Sequence, residues 1–176
     1  LVRAMQWKDV ALLYANVDGA MPNHEADPSV EANMEDLKNE LFKTGFASGV
    51  AFDGDGDRMG AVTSEGIFVT GDMLLALFSQ DVLPHFPGRA VVFDCKCSGM
   101  LTEVIQKSGG VACMSPSGHA FIKQCMKKEK ALLAGELSSH LFFHDRYFGF
   151  DDGLYEALRL IEFLHGSEKS FDDILG

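Results

Sequence analysis

The spacing of apolar positions divides the chain into recognisable segments. Val30, Met34, Leu37 and Leu41 recur at helical spacing, with Ser29 as the expected N-cap and Gly45 as the terminator. A strand is predicted over 46–52, followed by a polar loop, and then two short strands, 59–63 and 67–69, about the turn Ser64-Glu65-Gly66. Upstream, an apolar patch within residues 9–17 breaks at Asp18-Gly19 and Pro22-Asn23-His24 into a long loop.

Beyond Gly71-Asp72 the pattern becomes regular. A helix through 73–80 is apolar nearly all round and so expected to be buried. Then come strand 90–94, helix 99–108, strand 111–114, helix 118–128, strands 131–135 and 141–143, and helix 152–165. Ser98 and Ser117 are the expected N-caps of the two middle helices, while Gly109-Gly110 and Gly166 mark helix ends. Alternation of this kind predicts an α/β fold: a three-layer domain with a mixed, mostly parallel sheet, preceded by an incomplete α/β domain. The boundary is drawn at 67–71, giving units of 1–68 and 69–176. No internal repeat or low-complexity segment is found.

Composition narrows the function classes. The 176 residues, 47% of them hydrophobic, suffice for one ordinary core or one core plus part of another. A net charge of -11 argues against nucleic acid, since no basic stripe exists to replace phosphate counterions. No apolar run is long enough to span a bilayer and no signal-peptide pattern opens the chain, so a soluble, cytoplasmic protein without membrane partners is expected. Cys95, Cys97, Cys113 and Cys125 lack the paired loop spacings of a zinc site or disulfide scaffold and are expected to be buried, reduced thiols. The chain opens on Leu1-Val2-Arg3 without an initiator Met and stops at Gly176 just after an apolar pattern has begun, which reads as a piece of something longer.

The chemistry centres on Asp53-Gly54-Asp55-Gly56-Asp57-Arg58, delivered by the apolar run Gly49-Val50-Ala51-Phe52. Three carboxylates this close repel one another, and a hard divalent cation with oxygen ligands relieves the repulsion; Gly54 and Gly56 let alternate side chains converge. An EF-hand needs Gly at the sixth loop position and Glu at the twelfth, but these are Arg58 and Ser64. Arg58 adds a guanidinium beside the cation, an arrangement suited to a phosphoryl group.

In open α/β sheets binding groups collect past the carboxyl ends of the strands. By that rule Lys96, Ser117-Gly118-His119 and Glu136 to His140 share an edge with the acidic loop. The bland alternatives are a surface Lys96 and a His119 packed at its helix start. In extended chain Glu136, Ser138 and His140 point the same way, giving an acceptor, a hydroxyl and an imidazole suited to vicinal sugar hydroxyls. Ser139-His140 lacks the Gly-flanked elbow of a serine nucleophile.

Together, Gly49 to Arg58, Asp94 to Lys96, Gly118-His119 with Ile122-Lys123, Gly135 to His140, and Phe148 to Gly153 resemble the α-D-phosphohexomutases, most closely the phosphomannomutase/phosphoglucomutase group. Asp18-Gly19, Pro22-Asn23-His24 and Asp27-Pro28 also fit. The likeness runs through nearly the whole chain, with its motifs in the family's order. It implies a four-domain enzyme that moves a phosphoryl group between the 1- and 6-positions of a hexose through a bisphosphorylated sugar. Residues 1–68 would be the tail of the second, metal-binding domain and 69–176 the third, sugar-binding one.

By the same likeness, Asp53, Asp55 and Asp57 hold Mg²⁺ together with a phosphoserine from elsewhere. Glu136 and Ser138 hold the sugar's 3- and 4-hydroxyls, and Lys96, His119 and His140 line the site, with Arg58, Lys96 and His140 as the catalytic set. Recognition through those hydroxyls ignores carbon 2, so glucose and mannose phosphates both fit. The family usually has Gly where this chain has Ser139, so the local backbone is expected to be less permissive or displaced. Leu137 sits closer to the Met of the phosphomannomutase/phosphoglucomutase group than to the Gln of phosphoglucosamine mutases. Neither the family's Ser-His-Asn phosphoserine loop nor its Arg-rich phosphate loop is found, so these residues alone are expected to be inactive. Two other readings compete: a stand-alone Mg²⁺-dependent sugar-phosphate binding module, and a phosphatase with Asp53 or Asp55 as nucleophile.

Overall fold

The computed structural model describes residues 2–16 and 18–176; Val17, in the expected apolar patch, lies outside the described residues. After a short helix α1 (Val2–Met5) no strand or helix forms among the described residues until a 3₁₀ turn, Glu31–Met34, and Val10, Leu12, Leu13 and Tyr14 are exposed. Helix α2 (Glu35–Thr44) follows and ends at Gly45, whose backbone is left-handed (φ +70°) and donates to the Leu41 carbonyl. Ser29 is not its cap. The Ser29 hydroxyl donates instead to Asp27 Oδ1 at 2.7 Å, and the residue before the 3₁₀ turn, Val30, makes no side-chain cap.

Strands β1 (Ser48–Phe52), β2 (Met59–Thr63) and β3 (Phe68–Val69) form an antiparallel sheet in that order. Phe52 pairs with Met59, so the acidic loop is the tip of the β1–β2 hairpin. Every residue of β2 is buried because both faces of this sheet are covered. Val62 packs with Met34 and Leu41 beneath α2, while Met59, Ala61 and Val69 belong to the larger core.

That core begins with α3 (Gly71–Val82), two residues longer at each end than its apolar pattern predicts. Strands β4 (Ala90–Asp94), β5 (Val111–Ser115), β6 (Leu133–Gly135) and β7 (Leu141–Phe143) form a second sheet ordered β5-β4-β6-β7. β5, β4 and β6 run parallel and β7 antiparallel, the mixed, mostly parallel arrangement anticipated from the alternation of elements. Helices α4 (Met100–Lys107), α5 (His119–Glu129), α6 (Gly153–Gly166) and α7 (Phe171–Leu175) complete the chain.

Alternation along β4 assigns the layers. Val91 and Phe93 join Leu74 and Phe78 of α3, Leu101 and Ile105 of α4, and Leu160 of α6; Ala90 and Val92 face Ile122 and Met126 of α5. Helices thus cover both faces, because every β4 side chain is apolar until Asp94.

Of the two expected caps on the middle helices, the Ser98 hydroxyl does accept from the Met100 N–H at 3.3 Å where α4 begins. Ser117 supplies no cap, and its hydroxyl donates instead to Asp94 Oδ2 at 2.8 Å. Asp152 and Ser170 do cap α6 and α7, accepting from the backbone N–H groups of Tyr155 and Asp173. Of the four cysteines only Cys97 is buried; Cys95 is exposed and the other two are half-buried, unlike the uniform burial expected. No helix among the described residues is long and apolar enough to cross a membrane.

Candidate functional site: an acidic hairpin tip facing two histidines

At the hairpin tip Asp53 folds the loop around itself. Its Oδ1 accepts from the backbone N–H groups of Gly56 (3.0 Å) and Arg58 (3.2 Å), and its Oδ2 accepts from Arg58 Nε at 2.7 Å. Gly56 adopts the left-handed region (φ +79°) that this tight loop requires, whereas Gly54 does not. Arg58 is also held by Asp27 Oδ1 at 3.0 Å, so its guanidinium is clamped between two carboxylates. Both oxygens of Asp53 are thereby engaged, which counts against this residue as a nucleophile.

Asp53, Asp55 and Asp57 bring one carboxylate oxygen each within 4.8 Å of one another. Burial raises the Asp53 carboxyl, but hydrogen bonds and charge from Arg58 outweigh it and hold the group below its ordinary value. Asp57 moves the other way: burial and then the neighbouring Asp53 carboxylate push it up. A trio of hard oxygen donors whose charges oppose one another chemically suits a hard divalent cation.

The turn after β6 supplies the facing wall. Residues 136–140 are not extended, as the alternation argument required; they close the β6–β7 connection, with Ser139 N–H donating to the Glu136 carbonyl at 3.1 Å and Glu136 N–H to the His140 carbonyl at 3.0 Å. Ser139 takes φ +69°, so the backbone keeps a conformation that favours glycine even though serine occupies it. The turn still gathers the three expected side chains. His140 Nδ1 lies 3.2 Å from Glu136 Oε2 and 3.1 Å from Ser138 Oγ.

His140 Nε2 then points toward the hairpin tip, 3.7 Å from Asp57 Oδ1. Burial, reinforced by the adjacent His119, lowers the His140 pKa, which favours the neutral ring at neutral pH. His119 stands edge-on to His140 with centroids 4.3 Å apart, its Nε2 3.1 Å from Asp151 Oδ2. The acidic loop is docked to α6 as well, through Gly153 N–H donating to the Gly56 carbonyl at 3.0 Å.

Asp94, at the carboxyl end of β4 and 2% exposed, ties these walls together. It accepts from Ser117 Oγ after β5, from Leu137 N–H after β6 at 3.4 Å, and from Cys97 Sγ at 3.1 Å. Burial and Asp94 push the Cys97 thiol up, so it stays protonated and packs as a small donor. Glu136 Oε1 in turn accepts from Gly118 N–H at 2.7 Å, anchoring the start of α5.

The structure therefore brings Asp53, Asp55, Asp57, Arg58, His119, Glu136, Ser138 and His140 to one edge, joined across the Asp57–His140 contact. Lys96 stands apart: it is exposed in the turn after β4 and makes no ion pair or hydrogen bond among the described residues. Asp27, Asp94 and Asp151 fall within the segments that carry the family resemblance but were assigned no role from sequence. Asp94 ends a strand, so the strand-end rule already used for Lys96 marks it; Asp151 lies next to a helix-capping Asp-Gly pair, and Asp27 has no local signal.

Residues 70–176 match the family model described as phosphoglucomutase/phosphomannomutase, alpha/beta/alpha domain III, and residues 3–66 match the model of domain II. The chain belongs to the phosphoglucomutase/phosphomannomutase family. It is 48% identical over 166 residues to a phosphomannomutase/phosphoglucomutase of Pseudomonas putida, covering 94% of this chain and 36% of that protein. A phosphoglucomutase of Neisseria meningitidis is 49% identical over 161 residues, 92% of this chain and 35% of its own. Among solved structures, a phosphoglucomutase/phosphomannomutase family protein from Burkholderia thailandensis superposes with a TM-score of 0.86 at 41% identity, covering 89% of this chain and 34% of that one. The chain thus spans about a third of the length of these phosphoglucomutase/phosphomannomutase relatives.

Proposed function

We propose that this chain is the metal- and sugar-binding portion of a phosphohexomutase, an isomerase that interconverts hexose 1-phosphate and hexose 6-phosphate through a phosphoserine and a bisphosphorylated sugar. The observation that carries this is the 3.7 Å approach of Asp57 to His140, which sets a three-carboxylate loop against a turn bearing an acid, a hydroxyl and an imidazole. Asp53, Asp55 and Asp57 would hold Mg²⁺; when bound, that ion neutralises phosphoryl charge and fixes its position.

Arg58 aligns the loop by gripping Asp53 and Asp27, and its remaining N–H groups are left for phosphate oxygens. Glu136 and Ser138 take the vicinal hydroxyls of the sugar, with His119 and Lys96 beside them. Neutral His140, its Nδ1 held by Glu136 and Ser138, presents Nε2 to accept a proton from the attacking hydroxyl and return it to the leaving one. Lys96 reaches the site only by swinging onto a bound phosphate, and glucose and mannose phosphates are both expected ligands. The whole is taken to work in the cytoplasm.

Calorimetric titration of the purified chain tests this. Mg²⁺ should bind at one site that Asp55→Asn weakens about tenfold or more, and glucose 1-phosphate binding should fall in Glu136→Gln. No turnover is expected from these residues alone. Mg²⁺ binding indifferent to the three aspartates would refute the metal role; conversion of glucose 1-phosphate by the isolated chain would refute the requirement for a serine held elsewhere.

A further inference from the structure

Behind the hairpin tip lies a second set of metal-ligating side chains, different in chemistry from the aspartate trio. Asp57, His119, His140 and Asp151 each bring one ligand atom within 4.8 Å of the others. His119 Nε2 and Asp151 Oδ2 face each other at 3.1 Å, and both are buried without a hydrogen-bond partner. The Asp151 side chain is 9% exposed, so its free oxygen is not spent on solvent. The two stand at ion-pair distance without hydrogen-bond geometry, so a cation at the apex above the pair, taking a lone pair from each, would satisfy both.

We propose that Asp57, His119, His140 and Asp151 form a four-coordinate site for Zn²⁺ or a similar borderline cation, distinct from the all-oxygen trio and sharing only Asp57 with it. Zn²⁺ bonds N and O ligands at about 2.0–2.2 Å, which puts neighbouring donors of a tetrahedron about 3.3 Å apart. The observed separations of 3.1 Å for His119–Asp151 and 3.7 Å for His140–Asp57 bracket that spacing. Two imidazoles and two carboxylates favour zinc, whereas the carboxylate trio suits a hard cation.

The surroundings are those of a supported ligand set. His140 places Nδ1 3.2 Å from Glu136 Oε2, the outer carboxylate that fixes the tautomer and turns Nε2 toward the metal. Lys123 lies 3.4 Å from Asp151 Oδ1, the oxygen not needed for coordination. Occupancy would take Asp57 from the trio and occupy His140 Nε2, which faces Asp57 at 3.7 Å, so the two cation sites oppose one another through their shared aspartate.

The test is binding of Zn²⁺ to the purified chain in excess Mg²⁺, read by competition with a chromophoric chelator, with Co²⁺ as a spectroscopic probe. One Zn²⁺ per chain is expected, and His119→Gln and Asp151→Asn should each weaken it about tenfold or more, while Asp55→Asn leaves it unchanged. Co²⁺ should give the intense visible bands of a four-coordinate ion with imidazole ligands. Zinc affinity lost only in Asp55→Asn, or unchanged in both other variants, would overturn the proposal and leave the quartet as plain His–Asp pairs. Should either variant fail to fold by circular dichroism, the wild-type cobalt spectrum decides: weak six-coordinate bands would reject the site.

Discussion

Ser139→Gly should stabilise the protein, contrary to the usual effect of placing glycine in a structured region. Ser139 is 1% exposed, holds φ +69°, and its hydroxyl is buried without a partner. The left-handed conformation costs an L-residue about 1–2 kcal/mol, and an unsatisfied buried hydroxyl about 1–3 kcal/mol. Against these, glycine's extra freedom in the unfolded chain costs about 0.4–1 kcal/mol. The balance is a gain of about 2 kcal/mol, or about 4–8 °C in Tm for a chain of this size. Urea denaturation and calorimetry measure it. Ser139→Ala separates the two causes, since it removes the hydroxyl but keeps Cβ, and should recover less than glycine does. A glycine variant no more stable than wild type would refute the assignment of strain to this turn.

Three further outcomes are expected. Arg159→Met should cost about 3–5 kcal/mol in urea denaturation, because Arg159 Nη1 binds both oxygens of the buried Asp145, at 3.0 and 2.9 Å, and its loss leaves that carboxylate poorly compensated. Glu156 is fully buried with both oxygens unpartnered, and burial raises its pKa well above the ordinary 4.5. The folded state therefore keeps a proton the unfolded chain releases, and stability falls as pH climbs from that value through the folded pKa, by up to about 1.4 kcal/mol per unit. Relative to Glu156→Gln, wild type should lose ground steadily above that pH; a difference that stays flat with pH would contradict this. Gly153→Ala would set a Cβ 2.8 Å from the Arg58 carbonyl oxygen and 2.9 Å from that of Gly56. Backbone cannot yield as a side-chain tip can, so a loss of about 1–3 kcal/mol and weaker Mg²⁺ binding should appear together in melting and titration.

Much of this was legible locally. The unbroken apolar run of β4, the all-round apolarity of α3 and the helical spacing in α5 and α6 survive because each element is buried on the faces its pattern names. Two serine caps failed for a physical reason: a hydroxyl near a helix start takes the best acceptor in reach, for Ser29 the carboxylate of Asp27 two residues upstream and for Ser117 that of Asp94, supplied by tertiary structure. The 136–140 segment was misjudged because a three-residue strand pairing back on β7 forces a turn that no alternation announces. Asp27 meets Arg58 across 31 positions, and only the folded loop makes them neighbours.

Asp94 carries a consequence for how such a site diversifies. Three loops from three strands hang on one small carboxylate, so none can lengthen or tilt without pulling on the others. Variation in ligand preference is then channelled into exchanging side chains on a fixed frame, and insertions at this rim should be rarer than point replacements.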